Sequence, residues 1–401
     1  GPGRYKEPEG RAFKQRARSM MTTLNSVSHS VPHLRRLAAG AVMIATMMFG
    51  APLAAAMDTV AREAILIDNQ TGAVLFEKDA DALMPPASMS KLMTVYMVFE
   101  RLKEGSLSLD EEFVVSENAW RKGNWASGGS TMFLEPRQRV RVEDLLQGII
   151  VQSGNDACVV VAEALAGSED AFAEMMTEKA REIGLTNSTF RNASGWPHPE
   201  HRMTARDLAT LAKRTIKDFP EFYHYYSERK FSYNNHTQHN RNELLGKGIG
   251  VDGLKTGHTE NAGYGLTASA ERLGRRLILV VNGLPNKRAR REEQQRLLEW
   301  GFREFKNYAL FKAGEEVAKV DIWLGNKAQV PLIVTDEMLL TLPRKERAGM
   351  KVTVEYQTPV PAPVKAGDKL GTLTLTFPEH EAIKIPLLAG DGAERLGLSV
   401  G

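Results

Sequence analysis

The sequence predicts an α/β domain that is followed by a small all-β domain. Strand-like segments occur at 61–77 and again at 264–284, with helical segments between them. One sheet is therefore expected to join both ends of that region. After about Gly314 apolar residues alternate with polar ones, which is the two-residue period of strands. A chain of 401 residues is long enough for two or three domains.

The first element is a leader over residues 1–56. Residues 35–56 run from two arginines through an uncharged stretch to Pro52 and three alanines, the order of a secretory signal peptide. We expect cleavage after Ala56 and export, to the periplasm or to the outer face of the cytoplasmic membrane. The alternative is an uncleaved anchor, but the strongly apolar part ends near Phe49, which is short for a bilayer span.

The α/β domain is expected over residues 57–310. Residues 61–77 are predicted to form a β-hairpin around the turn Asn69-Gln70-Thr71-Gly72. A polar loop that contains prolines and histidines spans 192–203, and Thr204 has the position of a helix cap. From periodicity, helices are predicted at 88–102, across 142–166, after Thr204 and at 290–305, and strands at 264–270 and 276–284.

The all-β domain is expected over 311–392, with the boundary near 308–315 and a tail at 393–401. Apolar residues alternate at Val320, Ile322 and Leu324, at Val352, Val354 and Tyr356, and at Leu373, Leu375 and Phe377. The tail is short and contains two glycines, so it cannot form a stable helix on a membrane surface. The membrane surface is therefore predicted as a partner only if a C-terminal anchor is missing from this chain.

Charge and cysteine content narrow the function classes. The formal net charge is +3, but residues 1–56 hold eight basic and two acidic residues, which leaves 44 basic and 47 acidic residues in the rest. Because nucleic-acid binding needs a concentrated basic surface, no nucleic-acid partner is predicted. The single cysteine, Cys158, cannot form an intrachain disulfide and is expected to be buried.

Three short motifs carry the candidate chemistry. Ser88-Met89-Ser90-Lys91 opens a predicted helix, Ser153-Gly154-Asn155 lies in the break between two apolar helical stretches, and Lys255-Thr256-Gly257 lies at the head of a predicted strand. Each motif alone is weak, since the first two are common as caps and turns and the third as a turn before a strand. Their order, their placement and the leader together favour a shared site.

Residue chemistry explains why these types belong together. A serine hydroxyl needs a base within hydrogen-bond reach, and residues i and i+3 share a helix face, so Lys91 can reach Ser88. A lysine acts as a base only when its pKa is lowered by burial or by another cation, which Lys255 could supply. The N–H groups at a helix N-terminus also stabilise a developing oxyanion.

The three motifs together resemble those of the penicillin-recognising serine enzymes. Within these, the sequence is similar to the low-molecular-mass penicillin-binding proteins, the serine-type D-alanyl-D-alanine carboxypeptidases. Further stretches that carry the resemblance are PPASMSKLMT, VEDLLQGIIVQSGNDA, VDGLKTGHT and RREEQQRLLEWGF. It covers nearly the whole chain after the leader. It implies a β-lactamase/transpeptidase-like α/β catalytic domain with a small β-rich domain after it, and no cofactor.

The resemblance also implies a role for each motif residue. Ser88 would be acylated by the penultimate D-alanine carbonyl of a peptidoglycan stem peptide, or by a β-lactam antibiotic, with Lys91 as general base. Ser153 would relay a proton to the leaving group, and Asn155 would hold the substrate amide. Lys255 would tune the electrostatics. The substrate would lie along Thr256 and Gly257, and the N–H groups of Ser88 and His258 would form the oxyanion hole.

Two arginines match those that contact the terminal carboxylate of the substrate in this family. Arg290 heads a predicted helix, although its charged neighbours also fit an ordinary solvated surface. Arg241 is the secondary candidate, because the loop between Arg241 and Lys255 is a residue shorter than in relatives. Ser194 stands where some relatives carry a histidine, so no catalytic role is transferred to that position.

Alternatives remain at this stage. A serine β-lactamase shares the platform, but it often has S-D-N at the second motif and uses an additional loop glutamate, and neither is found here. A DD-endopeptidase that cuts cross-links shares all three motifs. A non-catalytic cell-wall-binding module is the alternative from another class. The histidine pairs His198/His201 and His236/His239 lack a metal-site motif, so no metal is predicted.

Overall fold

The computed structural model describes residues 57–397. The predicted leader, and the last residues of the predicted tail, lie outside the described residues. The chain divides into two compact units between Glu304 and Phe305. This division falls slightly before the predicted boundary at 308–315, because a strand begins at Phe305, directly where the preceding helix ends.

The first unit contains a five-stranded antiparallel sheet. Its strands are, in spatial order, Val74–Lys78, Glu63–Asp68, Arg275–Leu284, Gly263–Arg272 and Val251–Thr259. The first strand in the sequence, Glu63–Asp68, pairs with the last one, Arg275–Leu284, so the sheet joins both ends of the unit as predicted. Val251–Thr259 lies at the edge of the sheet, and among the described residues one side of its backbone has no strand partner.

The helices of this unit pack on the sheet or on one another. Their bounds are Lys91–Glu104, Glu117–Gly123, Val142–Ile150, Asn155–Ala166, Glu169–Glu182, Ala205–Asp218 and Lys287–Glu304. The predicted cap is confirmed, because the Thr204 side chain accepts a hydrogen bond from the Asp207 N–H at 3.0 Å. Within residues 57–397, no helix combines the length and the apolar character that a membrane span requires.

The core of this unit holds the two helices on either side of Ser153, which lies in the break between them. Val142–Ile150 and Asn155–Ala166 bury nearly all of their apolar side chains, and the prediction of two apolar stretches is confirmed. Cys158 is fully buried and free, and burial raises the pKa of its thiol to about 12. Burial of each large aliphatic side chain contributes about 1.5–3 kcal/mol, which fixes the polar residues between the two helices.

Several short elements were not predicted. The strand Lys230–Tyr233 forms a hairpin with His236–His239, and a second small pair joins Glu112–Val114 with Arg139–Arg141. Short 3₁₀ helices occur at Ala87–Ser90, Trp125–Ser127 and Tyr223–Ser227. The long helix starts at Lys287, three positions before the predicted start at Arg290.

The second unit is built from strands and one short helix. A six-stranded sheet has the spatial order Lys351–Tyr356, Lys369–Thr376, Ile383–Ala389, Gln329–Ile333, Glu316–Trp323 and Val360–Pro361. Phe305–Phe311 pairs with Met338–Pro343, and the helix is Arg344–Gly349. Of the alternating residues, Val320, Ile322, Leu373, Leu375 and Phe377 are buried as predicted. Leu324 and Tyr356 are exposed, so the predicted inward alternation is wrong at these two positions.

Candidate active site

Ser88 lies on a tight turn that leads into a helix. The segment Ala87–Ser90 is a 3₁₀ turn, and the α-helix itself begins at Lys91, so the prediction that Ser88 stands on the α-helix is corrected by one turn. A 3₁₀ turn places residues i and i+3 directly above each other. The Lys91 ammonium nitrogen therefore lies 2.8 Å from Ser88 Oγ.

Lys91 is fully buried, and its Nζ has three hydrogen-bond partners. Besides Ser88, its Nζ contacts Asn155 Oδ1 at 2.8 Å and the main-chain carbonyl oxygen of Ser194 at 2.7 Å. The three partners come from three segments that are far apart in the sequence. Ser194 is the residue to which no role was transferred, and its contribution is a backbone atom that no side-chain motif reveals.

Burial, the largest cause, and the guanidinium of Arg241 together lower the pKa of Lys91 to about 8, although Cys158 and Asp156 act in the opposite direction. This corresponds to roughly 3 kcal/mol against the protonated form, so that about one lysine in ten is neutral at pH 7. Burial also holds the pKa of Lys255 well below its usual value, and there the neighbouring Lys91 adds to the effect. The cation that lowers the pKa of Lys91 is Arg241, whereas the predicted cation, Lys255, is itself the group whose pKa Lys91 lowers.

Hydrogen bonds and a close backbone contact hold the loop that supplies the Ser194 carbonyl. Thr94 Oγ1 donates to the Ala193 carbonyl at 2.6 Å, and the Glu169 carboxylate accepts from the Ala193 N–H at 3.2 Å. Gly195 has φ +84°, and a Cβ atom there would lie 1.9 Å from the Ala87 carbonyl oxygen. Only glycine permits this approach between the loop and the serine turn.

The second motif occupies the break between the two apolar helices. Ser153 is buried with φ 57°, in the left-handed region, and Asn155 is the first residue of its helix. The Ser153 hydroxyl forms no hydrogen bond to Lys91 or Lys255 within residues 57–397. Asp156, next in sequence, accepts hydrogen bonds from the N–H groups of Met132 and Leu134 and so fixes the segment that lines the opposite wall.

The third motif lies inside the edge strand Val251–Thr259, not at its head as predicted. Lys255 and Thr256 are buried, and the Lys255 ammonium donates to the Thr256 carbonyl at 3.1 Å. A Cβ atom at Gly257 would lie 2.9 Å from the Pro86 carbonyl oxygen and 3.2 Å from the Met89 nitrogen. Glycine therefore lets the edge strand pack directly against the serine turn.

Arg290 and Arg241 lie together at one end of the cleft. Arg290 is only 3% exposed, so the alternative of an ordinary surface arginine is wrong, whereas its neighbour Arg288 is exposed. The Arg290 guanidinium donates to the Arg241 carbonyl at 3.1 Å and approaches Glu243 Oε1 at 3.4 Å. Arg241 donates to the Gln152 carbonyl at 2.9 Å. Burial lowers the pKa of both arginines.

These residues line one cleft of about 770 Å³. The cleft brings together side chains or backbone of Ser88, Ser153, Asn155, Arg241, Thr256, Gly257, His258 and Arg290. Sequence reasoning missed Trp196, Gln238, Tyr264 and Lys287, which also line it. The His258 ring is exposed and stacks on Tyr264 with 3.9 Å between the ring centroids.

The histidine pairs of the sequence analysis have other partners. His236 stacks on Phe133 with 3.8 Å between ring centroids, and His201 Nδ1 accepts a hydrogen bond from the Arg191 N–H at 3.1 Å. In the part of the chain that the structure describes, no three histidine, cysteine or acidic side chains cluster as metal ligands would.

The fold and the cleft define the class of protein. A serine and a buried lysine lie between a helix, a loop and the edge strand of an antiparallel sheet, as in the penicillin-recognising serine enzymes. The family model for D-alanyl-D-alanine carboxypeptidases, Peptidase S11, matches residues 51–286, and the model for the C-terminal domain of penicillin-binding protein 5 matches residues 305–395. The chain belongs to the Peptidase S11 family of D-alanyl-D-alanine carboxypeptidases.

Individual relatives agree with this assignment. The chain is 39% identical to the D-alanyl-D-alanine carboxypeptidase DacC of Escherichia coli over 91% of this chain and 93% of that protein. It is similar to the structure of penicillin-binding protein 5 from Haemophilus influenzae, with a TM-score of 0.73, 35% identity, and coverage of 85% of this chain and 99% of that one. Penicillin-binding protein D2 from Listeria monocytogenes in its ampicillin-bound form has a TM-score of 0.56 and 30% identity, with 62% and 99% coverage.

These similarities confirm the predicted family, fold class and activity. The protein is a serine-type peptidase that hydrolyses D-alanyl-D-alanine, with an α/β catalytic fold and an all-β C-terminal fold. The comparisons do not support the alternatives of a serine β-lactamase and of a non-catalytic cell-wall-binding module.

Proposed function

We propose that Ser88 is the nucleophile of this D-alanyl-D-alanine carboxypeptidase and that Lys91 is its general base. The observation that carries the proposal is the 2.8 Å contact between Lys91 Nζ and Ser88 Oγ inside a buried cluster. Within that cluster, a pKa of about 8 for Lys91 makes the neutral amine accessible at physiological pH.

The two other partners of Lys91 set the direction of proton transfer. A neutral amine has two N–H donors and one lone pair. Asn155 Oδ1 and the Ser194 carbonyl can only accept, so they take the two N–H groups. The lone pair then faces the third partner, Ser88, whose hydroxyl is the group that can donate. Asn155 and Ser194 thus orient the base as well as hold it.

The reaction follows from this arrangement. Ser88 Oγ attacks the carbonyl carbon of the penultimate D-alanine while its proton moves to Lys91. The C–N bond to the terminal D-alanine breaks as Ser153 gives its proton to the departing amine, and Ser153 takes the proton held by Lys91, which returns Lys91 to the neutral form. Water then attacks the acyl-serine ester and gives a proton to Lys91. The ester C–O bond breaks as Lys91 passes that proton to Ser88 Oγ, which releases the shortened peptide and restores Ser88. A β-lactam would acylate Ser88 by opening its ring amide.

Surrounding groups stabilise charge and position the substrate. The backbone N–H groups of Ser88 and His258 would form the oxyanion hole, and the substrate would lie along Thr256 and Gly257 of the edge strand. Lys255, whose buried amine lies near Lys91, would favour the negative charge of the tetrahedral intermediate when it is protonated. Asn155 would also contact the substrate amide.

The arginine end of the cleft would recognise the free carboxylate that defines a carboxypeptidase. Arg290 uses one nitrogen for the Arg241 carbonyl and Glu243, and its buried Nε has no hydrogen-bond partner among the described residues. A guanidinium has five N–H donors and matches a carboxylate bidentately. Arg241 would contribute a second positive charge.

The proposal extends to location and organisation. Peptidoglycan lies outside the cytoplasm, so we propose that the chain acts there after removal of residues 1–56, with 57–310 as the catalytic domain, 311–392 as the β-rich domain and 393–401 as a tail. Stem peptides and β-lactams are the proposed partners. A nucleic-acid partner is not proposed, and a membrane contact is proposed only through an anchor beyond this chain.

Purified muropeptides test this function. After incubation with a pentapeptide muropeptide, mass spectrometry should find the loss of one D-alanine. A cross-linked dimer in the same reaction should stay intact. Cleavage of the dimer with an unchanged pentapeptide would identify a DD-endopeptidase and contradict the proposal.

A further inference from the structure

The charged side chains that line the active-site cleft are not balanced. Arg241, Lys287 and Arg290 are basic, and Glu260 is the acidic side chain among the lining residues. A cleft concentrates the electric field of the charges along its walls, because the protein around it has a low dielectric constant. The lining residues therefore favour the entry of an anion, and the three cations differ in how they can act on it.

The two arginines are held by protein groups. Arg290 is buried, donates to the Arg241 carbonyl and lies 3.4 Å from the Glu243 carboxylate, which offsets part of its charge. Arg241 is half-buried and donates to the Gln152 carbonyl at 2.9 Å. Both guanidinium groups are therefore fixed parts of the cleft wall. A fixed and buried cation binds a carboxylate by direct contact, and salt screens such a contact only weakly.

Lys287 is the most exposed of the three cations. It is the first residue of the helix Lys287–Glu304, and its side chain lines the cleft. Within residues 57–397, no hydrogen bond or ion pair engages its ammonium group. The next residue, Arg288, is also exposed, but it pairs with Glu292 at 2.7 Å and does not line the cleft. Lys287 thus presents an unpaired charge to a molecule that approaches from solvent.

The helix places Lys287 next to Arg290. The two residues are three positions apart on one helix, and residues at this spacing are neighbours on its surface. A carboxylate bound at Arg290 therefore lies well within one Debye length of Lys287, which is about 10 Å at 0.1 M salt. Because the lysine side chain is flexible and strongly hydrated, it attracts an anion through solvent and does not hold it in one geometry.

We propose that Lys287 is a specificity residue that steers the free carboxylate of the substrate toward Arg290. It attracts the anionic end of the peptide through solvent, and Arg290 then binds that end by contact. Lys287 touches none of the reacting atoms, so the chemistry at Ser88 does not depend on it. The inference rests on the proposed function, because it takes Arg290 as the carboxylate contact. Its signature is a dependence on ionic strength.

Two peptides test the steering in the wild-type protein. Diacetyl-L-lysyl-D-alanyl-D-alanine carries one charge, its terminal carboxylate, and its C-terminal amide carries none. Formation of their shared product, diacetyl-L-lysyl-D-alanine, is followed by mass spectrometry at about 20 mM and about 0.5 M salt, where the Debye length falls from about 20 Å to about 4 Å. The kcat/KM of the free acid should fall about three- to tenfold, and that of the amide should not change. Equal salt dependence for both peptides would overturn the steering and leave the proposed function intact, whereas absence of product from the free acid would overturn the proposed function as well.

Substitutions assign the effect to Lys287. Lys287→Gln should lower kcat/KM of the free acid about two- to threefold at low salt and leave it unchanged at high salt, and Lys287→Glu should lower it about four- to ninefold at low salt. Lys217→Gln is the matched control, because it removes the same charge from an exposed position on another helix that does not line the cleft.

Two comparisons separate steering from other causes. Arg290→Ala should lose activity on the free acid at both salt concentrations, because a buried contact is screened less. The ratio of high-salt to low-salt activity is measured within each variant, so it does not depend on the amount of folded protein. A wild-type salt ratio in Lys287→Gln, or an equal loss in Lys217→Gln, would contradict the proposal.

Discussion

The two ends of the cleft are built differently. At the serine end, Ser88 and Lys91 come from adjacent turns of one segment, and every partner of the Lys91 ammonium lies within 2.8 Å. At the arginine end, Arg241 and Arg290 come from segments that are 49 residues apart, with contacts of 2.9 to 3.4 Å. The Nε donor of the Arg290 guanidinium has no partner among residues 57–397 and is left for a ligand.

This difference separates chemistry from recognition. The serine end is a closed hydrogen-bonded set in which each group is needed for one proton transfer, so loss of a member should affect every substrate and every β-lactam. The arginine end has donors in reserve for a ligand, so loss of a member should affect only those substrates that carry a free carboxylate.

The largest effect is expected at Ser88. Ser88→Ala should lower D-alanine release by at least about a thousandfold, because no other hydroxyl lies within reach of the Lys91 lone pair in the described cluster. Ser90→Ala is the matched control. Ser90 is in the same turn, and its buried hydroxyl has no hydrogen-bond partner among the described residues, so activity should be retained. A fluorometric D-alanine assay measures both. Comparable activity of the two variants would contradict the assignment.

Replacement of the base should be nearly as severe. Lys91→Met keeps the length and the burial of the side chain but removes the amine, so acylation by penicillin should slow by about a hundredfold or more. Stopped-flow measurement of the acylation rate constant checks this. The free-acid and the amidated peptide should lose the same factor, and a loss confined to the free acid would move Lys91 to the recognition side of the comparison.

At the arginine end the effect should depend on the substrate. Arg290→Ala removes a charge-assisted contact of about 1.5–3 kcal/mol, so kcat/KM for a free-acid peptide should fall about ten- to a hundredfold. The amidated peptide should change much less. Arg288→Ala, an exposed position on the same helix that pairs with Glu292, should change neither value. Equal losses on both peptides would instead indicate that Arg290 supports the fold or general catalysis.

The smallest effect couples the two ends. Arg241 is a cation that helps to lower the pKa of Lys91, so kcat/KM of the wild type should rise as the pH passes through about 8. Arg241→Gln removes that repulsion, which raises the pKa of Lys91 and moves the rise to higher pH, by less than about one unit because burial is the larger cause. Lys287→Gln changes another cation of the cleft and should leave the midpoint in place. A midpoint that moves to lower pH in Arg241→Gln would contradict this coupling.

The serine end is largely predictable from sequence because its central contact is local. Ser88 and Lys91 are three residues apart, and any tight turn or helix brings them together. The alternation at Val320 and Ile322 is likewise a local signal, and both residues are buried. The prediction that Ser88 stands on the α-helix was wrong, because a 3₁₀ turn and the start of an α-helix have similar preferences in sequence.

The rest of the site depends on contacts that sequence patterns do not encode. The acceptor from Ser194 is a backbone carbonyl, and its position follows from Thr94, Glu169 and Gly195 in three-dimensional packing. The sequence could not show whether Arg290 is buried or solvent-exposed, because its neighbours in the sequence are charged. The hairpin Lys230–Tyr233 with His236–His239 was missed because its strands have four residues each, and only Phe231 and Tyr233 alternate with polar residues.

The central claim, that Ser88 is activated by neutral Lys91 and becomes acylated, is tested most directly by mapping a β-lactam adduct. The protein is incubated briefly with ampicillin, digested and analysed by tandem mass spectrometry. We predict a single added ampicillin mass on the peptide that contains Ser88, with fragment ions that place it on that side chain, and no adduct in Ser88→Ala. An adduct on Ser153 or on Lys91, or one that persists in Ser88→Ala, would contradict the account.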